Sequence, residues 1–178
     1  MPLLGTETEY GILAPEAPGL DAEWLAERVV EAHEGPATPV LGAIYNRVLG
    51  NGARLYVDHG HPEYSTPETT DPDAATAHDL AGDLLVARAA AAASERAGTP
   101  IRVFKNNTDG QGNSYGAHEN YLVARGVDWG RLEGVLALHL VSRTVCTGAG
   151  RVGLGAEPGR PGAPGFQLSQ RADFFERV

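Results

Sequence analysis

The stretch NGARLYVDHGHPEYSTPE, running from Asn51 to Glu68, decides how this chain is read. Asn51-Gly52 is a turn signal, and Leu55 to Asp58 follows it as a short predicted strand. Alternation puts Leu55 and Val57 on one face and Tyr56 and Asp58 on the other. After the strand the composition turns polar. Asp58, Glu63 and Glu68 supply carboxylates, with Arg54, Tyr56, His59 and His61 close by in sequence. A segment with so many polar types and two prolines is read as a loop. It makes a poor core and a poor spacer, and such loops disproportionately hold function. The competing account is a surface turn whose acids cap its own backbone.

Two other segments offer matching chemistry. Leu3 to Ile12 alternates as a strand, with Thr6, Thr8 and Tyr10 on one side and Glu7, Glu9 and Gly11 on the other. Two glutamates spaced so are roughly 7 Å apart on one face. Mg²⁺ takes oxygen ligands in near-octahedral geometry and often shares them with phosphates. An isolated pair of this kind is more often a solvated strand face. The third segment is KNNTDGQGNSYGAHE, Lys105 to Glu119. Its glycines allow backbone amides to approach a phosphate. His118 and Glu119 begin a predicted strand to Ala124, where one of them can reach a metal or a nucleotide.

The remaining elements form an α+β pattern without repeats. Residues 14–20 read as a loop. Asp21 caps a helix to about His33, with Trp24, Leu25, Arg28 and Val29 at helical spacing. Residues 34–39 break it, and Val40 to Val48 fits strand or loop. Asp71-Pro72 starts a second helix, read through Leu80, Leu84 and Leu85 to about Arg96 and closed by Gly98 and Pro100. Ile101 to Asn106 is a predicted strand. Asp128 caps a third helix over Leu132, Val135, Leu136, Leu140 and Val145, ended by Gly148. Residues 148–165 are dense in glycine and proline and read as a long loop.

The net charge of −9 and the lack of a basic patch argue against a nucleic-acid partner. A single cysteine, Cys146, excludes an internal disulfide framework and favours a cytosolic setting. No apolar run reaches the length of a membrane span, so no membrane partner is expected. The N-terminus lacks the pattern of a signal peptide. Zinc spacings, GxSxG, HExxH and Walker A motifs are all missing.

Four segments, GTETEYGI, NGARLYVDHGHPEYSTPE, KNNTDGQGNSYGAHENYL and GFQLSQRADFFE, together resemble the family of Pup ligases and Pup deamidases/depupylases. The resemblance implies a glutamine-synthetase-like α+β fold, an antiparallel or mixed sheet with helices on one face. Residues 1–178 would form the N-terminal part of the large catalytic domain. Thr6, Pro67 and the GFQLSQRADFFE wording resemble the deamidase branch, whereas KNNTD and GNSYG are closer to the ligases. The implied cofactors are ATP (or ADP plus phosphate) and Mg²⁺. The implied partners are the prokaryotic ubiquitin-like protein Pup and pupylated proteins. By the resemblance Asp58 is the catalytic carboxylate. Arg54 and Thr66 contact nucleotide, and Arg171 meets phosphate or an acidic group. Glu7, Tyr56 and Glu63 hold Mg²⁺, with Glu9 and Glu119 as further metal ligands. The interval before Asn51 is shorter than in the deamidases, and the family's later motifs have no counterpart, so a truncated form is expected.

Overall fold

Arg54–Asp58 (β5) and His61–Ser65 (β6) form a hairpin at the middle of the molecule's main sheet. The computed structural model describes residues 3–109, 113–152 and 166–171. Among them the chain divides into two compact units, residues 1–106 with 115–122, and residues 107–114 with 123–178. The first unit carries a six-stranded sheet. Its strands are Leu4–Glu9 (β1), Ala37–Val40 (β3), Ala43–Leu49 (β4), β5, β6 and Ala117–Tyr121 (β8), in the order β3-β4-β5-β6-β1-β8. Every pairing in it is antiparallel.

Strand β6 occupies residues read from sequence as a loop. Pro62 sits within it and pairs with Val57, where a central-strand proline is disfavoured because it cannot donate to the ladder. It is tolerated here because β1 pairing stops at Glu9 opposite Glu63. Beyond that point Pro62 only has to accept, taking the Tyr10 N–H at 3.0 Å. The predicted strand over residues 3–12 also divides. After Tyr10 the chain leaves the main sheet, and Gly11–Leu13 (β2) pairs with Arg102–Phe104 (β7). Gly11 is needed at this crossing, since a β-carbon there would lie 2.8 Å from the Tyr115 ring. The ambiguous residues 40–48 form most of the β3–β4 hairpin.

Both long helices of this unit cover the same sheet face. Ala22–Glu31 (α1) is capped by Asp21, which accepts from the Glu23 and Trp24 N–H groups. Pro72–Ala97 (α2) is capped by Asp71 and closed by Gly98 at φ 67°. Helix α1 packs on β4, β5 and β6, and α2 packs on β1, β6 and α1. Between them lie buried Tyr10, Val30, Leu49, Leu55, Tyr64 and Val86. Of the leucines through which α2 was traced from sequence, Leu85 packs against this core. Leu80 and Leu84 are exposed, and Ala75, Gly82, Val86, Ala89, Ala90 and Ala93 are buried. Small side chains let the helix approach closely, and a β-carbon at Gly82 would collide with the Tyr64 ring.

In the second unit, Trp129–Thr147 (α3) is capped by Asp128. Gly148 follows it with φ −61°, so glycine is not there for a left-handed cap. A β-carbon at Gly148 would instead strike the Leu168 carbonyl. Arg151–Val152 (β9) pairs with Phe166–Gln167 (β10), which interrupts the predicted long loop. The rest of that loop, residues 153–165, lies outside the described residues, as do 110–112 of the glycine-rich segment and 172–178 at the close.

Candidate functional site

The sheet face opposite the helices gathers polar side chains. Thr8 and Tyr10 turn toward α2, where Thr8 Oγ1 donates to Asp79 and the Tyr10 hydroxyl to Asp83. By strand alternation Glu7 and Glu9 therefore turn to the open face. Register then arranges this face in rows. Glu7 lies between His118 on β8 and Ser65 on β6, and Ser65 is opposite Arg54 on β5. In the next row Glu9, Glu63 and Tyr56 are aligned across β1, β6 and β5. At the far end Asp58 pairs with His61. Neighbours within a row are about 5 Å apart, and rows are separated by about 7 Å.

The middle of this face is a carboxylate cluster. Oxygens of Glu9, Asp58 and Glu63 lie within 4.8 Å of one another, as do ligand atoms of Glu7, Glu63 and His118. Glu63 is only 1% exposed. Its Oε1 has no hydrogen-bond partner among the described residues, and the nearest cationic candidate, His118 Nδ1, is 3.9 Å away. Burial raises the Glu63 pKa, and Glu9, Glu7 and Asp58 add to the rise, while hydrogen bonding with Tyr56 opposes it. A buried carboxylate oxygen left bare among like charges is costly unless a cation meets it. Oxygen donors in this arrangement suit a hard divalent ion such as Mg²⁺.

The surrounding groups hold the cluster in place. His118 Nδ1 is 3.0 Å from Glu7 Oε2. The Gly116 N–H donates to Glu9 Oε2 at 2.7 Å. A β-carbon at Gly116 would lie 2.9 Å from His118 Nε2 and 3.1 Å from Glu9 Oε1, so a larger residue there would displace one or both side chains. Burial drives the Tyr56 phenol well above its usual pKa. The Ser65 hydroxyl, donating to it at 3.3 Å, works against this, and the Glu63 and Glu7 charges add to it. Tyr56 therefore stays a neutral phenol. His61 packs against Tyr115 with ring centroids 5.0 Å apart, and burial lowers its pKa.

At one end of the face, a cavity of about 420 Å³ is lined by Asn51, Gly52, Arg54, Ser65, Thr66, Pro67 and Glu68. The Arg54 guanidinium stacks 4.9 Å above the Tyr56 ring and donates to Asn46 at 3.3 Å. Thr66 is buried, and its Oγ1 accepts the Thr6 N–H at 2.9 Å, which leaves its own proton to donate. At the other end, His59 Nδ1 meets Asp58 Oδ2 at 2.8 Å, and this contact raises the His59 pKa.

Of the residues singled out from sequence, the fold brings together Glu7, Glu9, Arg54, Tyr56, Asp58, Glu63 and Thr66. Glu119 does not join them. It pairs with Thr6, one residue out of phase with Glu7, so it turns to the other face and accepts from the Tyr121 hydroxyl at 2.8 Å. His118 takes the place assigned to it. Arg171 belongs to the second unit, where its N–H donates to Ser169 Oγ. Sequence reasoning left out Ser65, and it weighed His118 only together with Glu119. The signal for His118 was its adjacency to Glu119, but choosing between the two requires the β1–β8 register.

A family profile described as Pup-ligase protein matches residues 2–178. A depupylase of Acidothermus cellulolyticus is 42% identical over 210 aligned positions, covering 98% of this chain and 41% of the relative. A Pup deamidase/depupylase of Mycobacterium tuberculosis is 39% identical over 211 positions, with the same two coverages. A Pup–protein ligase of Bifidobacterium adolescentis is 40% identical over 188 positions, covering 99% of this chain and 35% of the relative. Among solved structures, the complex between Pup and its ligase PafA contains a chain that superposes with a TM-score of 0.80 at 34% identity. That match covers 97% of this chain and 35% of the other. The chain thus spans about two fifths of the length of the curated relatives it matches. By sequence and by fold, the chain belongs to the Pup-ligase protein family.

Proposed function

We propose that this chain carries the Mg²⁺–nucleotide site and the reacting carboxylate of an amidohydrolase acting on Pup. It would deamidate a C-terminal glutamine of Pup and cleave the isopeptide bond between Pup and a substrate lysine. The observation that carries the proposal is the buried, bare Glu63 Oε1 within a carboxylate cluster. The Arg54–Thr66 cavity lies at one end of that face and Asp58 at the other. Glu7, Glu9, Glu63 and His118 would hold the metal, with Tyr56 as a neutral donor beside it. Arg54 and Thr66 would bind phosphate, the first by charge and the second by its hydroxyl proton. When bound, Mg²⁺ would supply positive charge that offsets the carboxylates and the nucleotide phosphates, and the nucleotide would serve as a bound cofactor.

The chain's own acid–base work falls to Asp58. As a carboxylate it takes a proton from water while the water oxygen bonds the amide carbon. The carbon–nitrogen bond then breaks, and ammonia or the lysine amine leaves with a proton. A covalent variant, in which an Asp58 oxygen attacks first and water releases the product, uses the same placement. The test is ammonia release from Pup ending in glutamine. Asp58→Asn should lower it by about 10²-fold or more while Mg²⁺ and nucleotide still bind. Unchanged turnover in that variant would refute the assignment.

One observation favours a second reading. At nearly equal coverage of this chain, the alignment to the ligase runs over 188 positions and that to the depupylase over 210, so the ligase alignment holds fewer gaps. In a ligase, Asp58 would serve as the base that deprotonates the attacking lysine. ADP formation coupled to conjugate formation identifies that activity, because a hydrolase consumes no nucleotide per turnover.

A further inference from the structure

The β5–β6 turn has a feature that metal and nucleotide binding leave unexplained. His59 and Gly60 connect the strands, and both have positive φ, 46° and 80°. A two-residue hairpin loop with both central residues left-handed is a type I′ turn. Its first position favours Asn, Asp or Gly, for which the left-handed region is accessible. Histidine enters this region more readily than most residues, though its β-carbon is still crowded against its own backbone there. Such strain persists where the surroundings enforce it, and it gathers at functional sites.

Burial does not explain the choice of residue, because the His59 side chain is 85% exposed. The ring's Nδ1 lies 2.8 Å from Asp58 Oδ2. A carboxylate only accepts, so this bond places the proton on Nδ1. Asp58 needs such a tether. Its side chain is 39% exposed, and its carboxylate also comes within 4.8 Å of oxygens of Glu9 and Glu63, which repel it. An untethered carboxylate at a strand end would swing toward solvent.

We propose that His59 is a positioning residue for Asp58: the left-handed turn aims its Nδ1–H at Oδ2, which leaves the other carboxylate oxygen presented to the amide. This rests on the reading of Asp58 as the reacting carboxylate. Misplacing a reacting group by about 1 Å can cost on the order of 10²-fold in rate.

The test compares His59→Gly, His59→Asn and Asp58→Asn in the full chain. Both His59 variants fit a type I′ turn better than histidine, so each should keep or raise Tm, by about 2 °C. His59→Gly should lower kcat for ammonia release roughly 10- to 100-fold with KM unchanged. His59→Asn can still donate, through Nδ2, and should recover much of that loss. A turn residue with no positioning role predicts wild-type kcat in all of the His59 variants. Full kcat in His59→Gly beside an inactive Asp58→Asn would overturn the inference and leave the Asp58 reading standing. Full kcat in Asp58→Asn would overturn the reading itself. The pairing is also read without turnover, by long-range nitrogen NMR of the imidazole. The Nδ1-protonated signature is expected in the unmodified chain and should disappear in Asp58→Ala. Finding the Nε2-protonated form in both would overturn the inference even if the chain turned nothing over.

Discussion

At the scale of single residues, the energetic tension of this protein is concentrated in Glu63. Burial and three neighbouring carboxylates raise its pKa above the ordinary 4.5. The folded protein therefore holds this proton at pH values where the unfolded chain has released it. The stabilisation is fully present below the unfolded pKa and is lost as pH rises through the folded one. In EDTA, thermal stability should decline as pH rises above about 4.5, and the decline should be shallower in Glu63→Gln. The same substitution should raise the metal-free Tm near neutrality by about 3 °C, because it removes a buried like charge. It should also weaken Mg²⁺ binding by about tenfold or more. Calorimetry and thermal scans on one preparation measure all three effects, and a variant less stable than the parent in EDTA would contradict this account. That Glu7 shares a face with Glu9, and Tyr56 with Asp58, was legible because alternation alone fixes which residues of a strand share a face. That Glu119 is out of phase with Glu7 was not legible, because it depends on a pairing between distant strands.

At the scale of elements, the legible features were those with local causes. Asp21, Asp71 and Asp128 each cap the helix expected of them, since a cap needs only its own first turn. Strand β6 was not legible, because its proline and its carboxylates are what a loop also looks like. The inward face of α2 was not legible either, because small residues make up most of it, with Leu85 packed against the core and Leu80 and Leu84 exposed. Gly82 shows the reason. Helix propensity favours Gly82→Ala by up to about 1 kcal/mol. The collision with the buried Tyr64 ring should cost roughly 1–3 kcal/mol. A net loss of Tm, by about 3 °C, is expected in thermal unfolding. A gain would mean that α2 can move away from the sheet without penalty.

At the scale of the whole molecule, a net charge of −9 and a carboxylate cluster with a bare buried oxygen lead to the prediction that the folded state responds to divalent cations. Binding to the folded state alone stabilises it by about 2.7 kcal/mol at a hundredfold excess over Kd. Mg²⁺ should thus raise Tm by roughly 5–10 °C, and EDTA should reverse the change. Sodium chloride at equal ionic strength should do much less, because screening alone leaves Glu63 Oε1 unmet. An equal response to both salts would remove the case for a metal site.

The sequence by itself determined the inventory: glutamates two apart on one strand, a turn, a polar segment ending in Thr66, three capped helices and the family they spell. These depend on neighbours within a few residues, where alternation and capping have fixed geometry. Only the tertiary structure decided that residues 61–65 are a strand and that His118 rather than Glu119 faces Glu7. It alone buried Glu63 and aligned the Arg54 cavity, the carboxylate cluster and Asp58 along one face. Strand register and burial are set by contacts between residues up to 111 positions apart, as between His118 and Glu7, and no local pattern encodes that pairing.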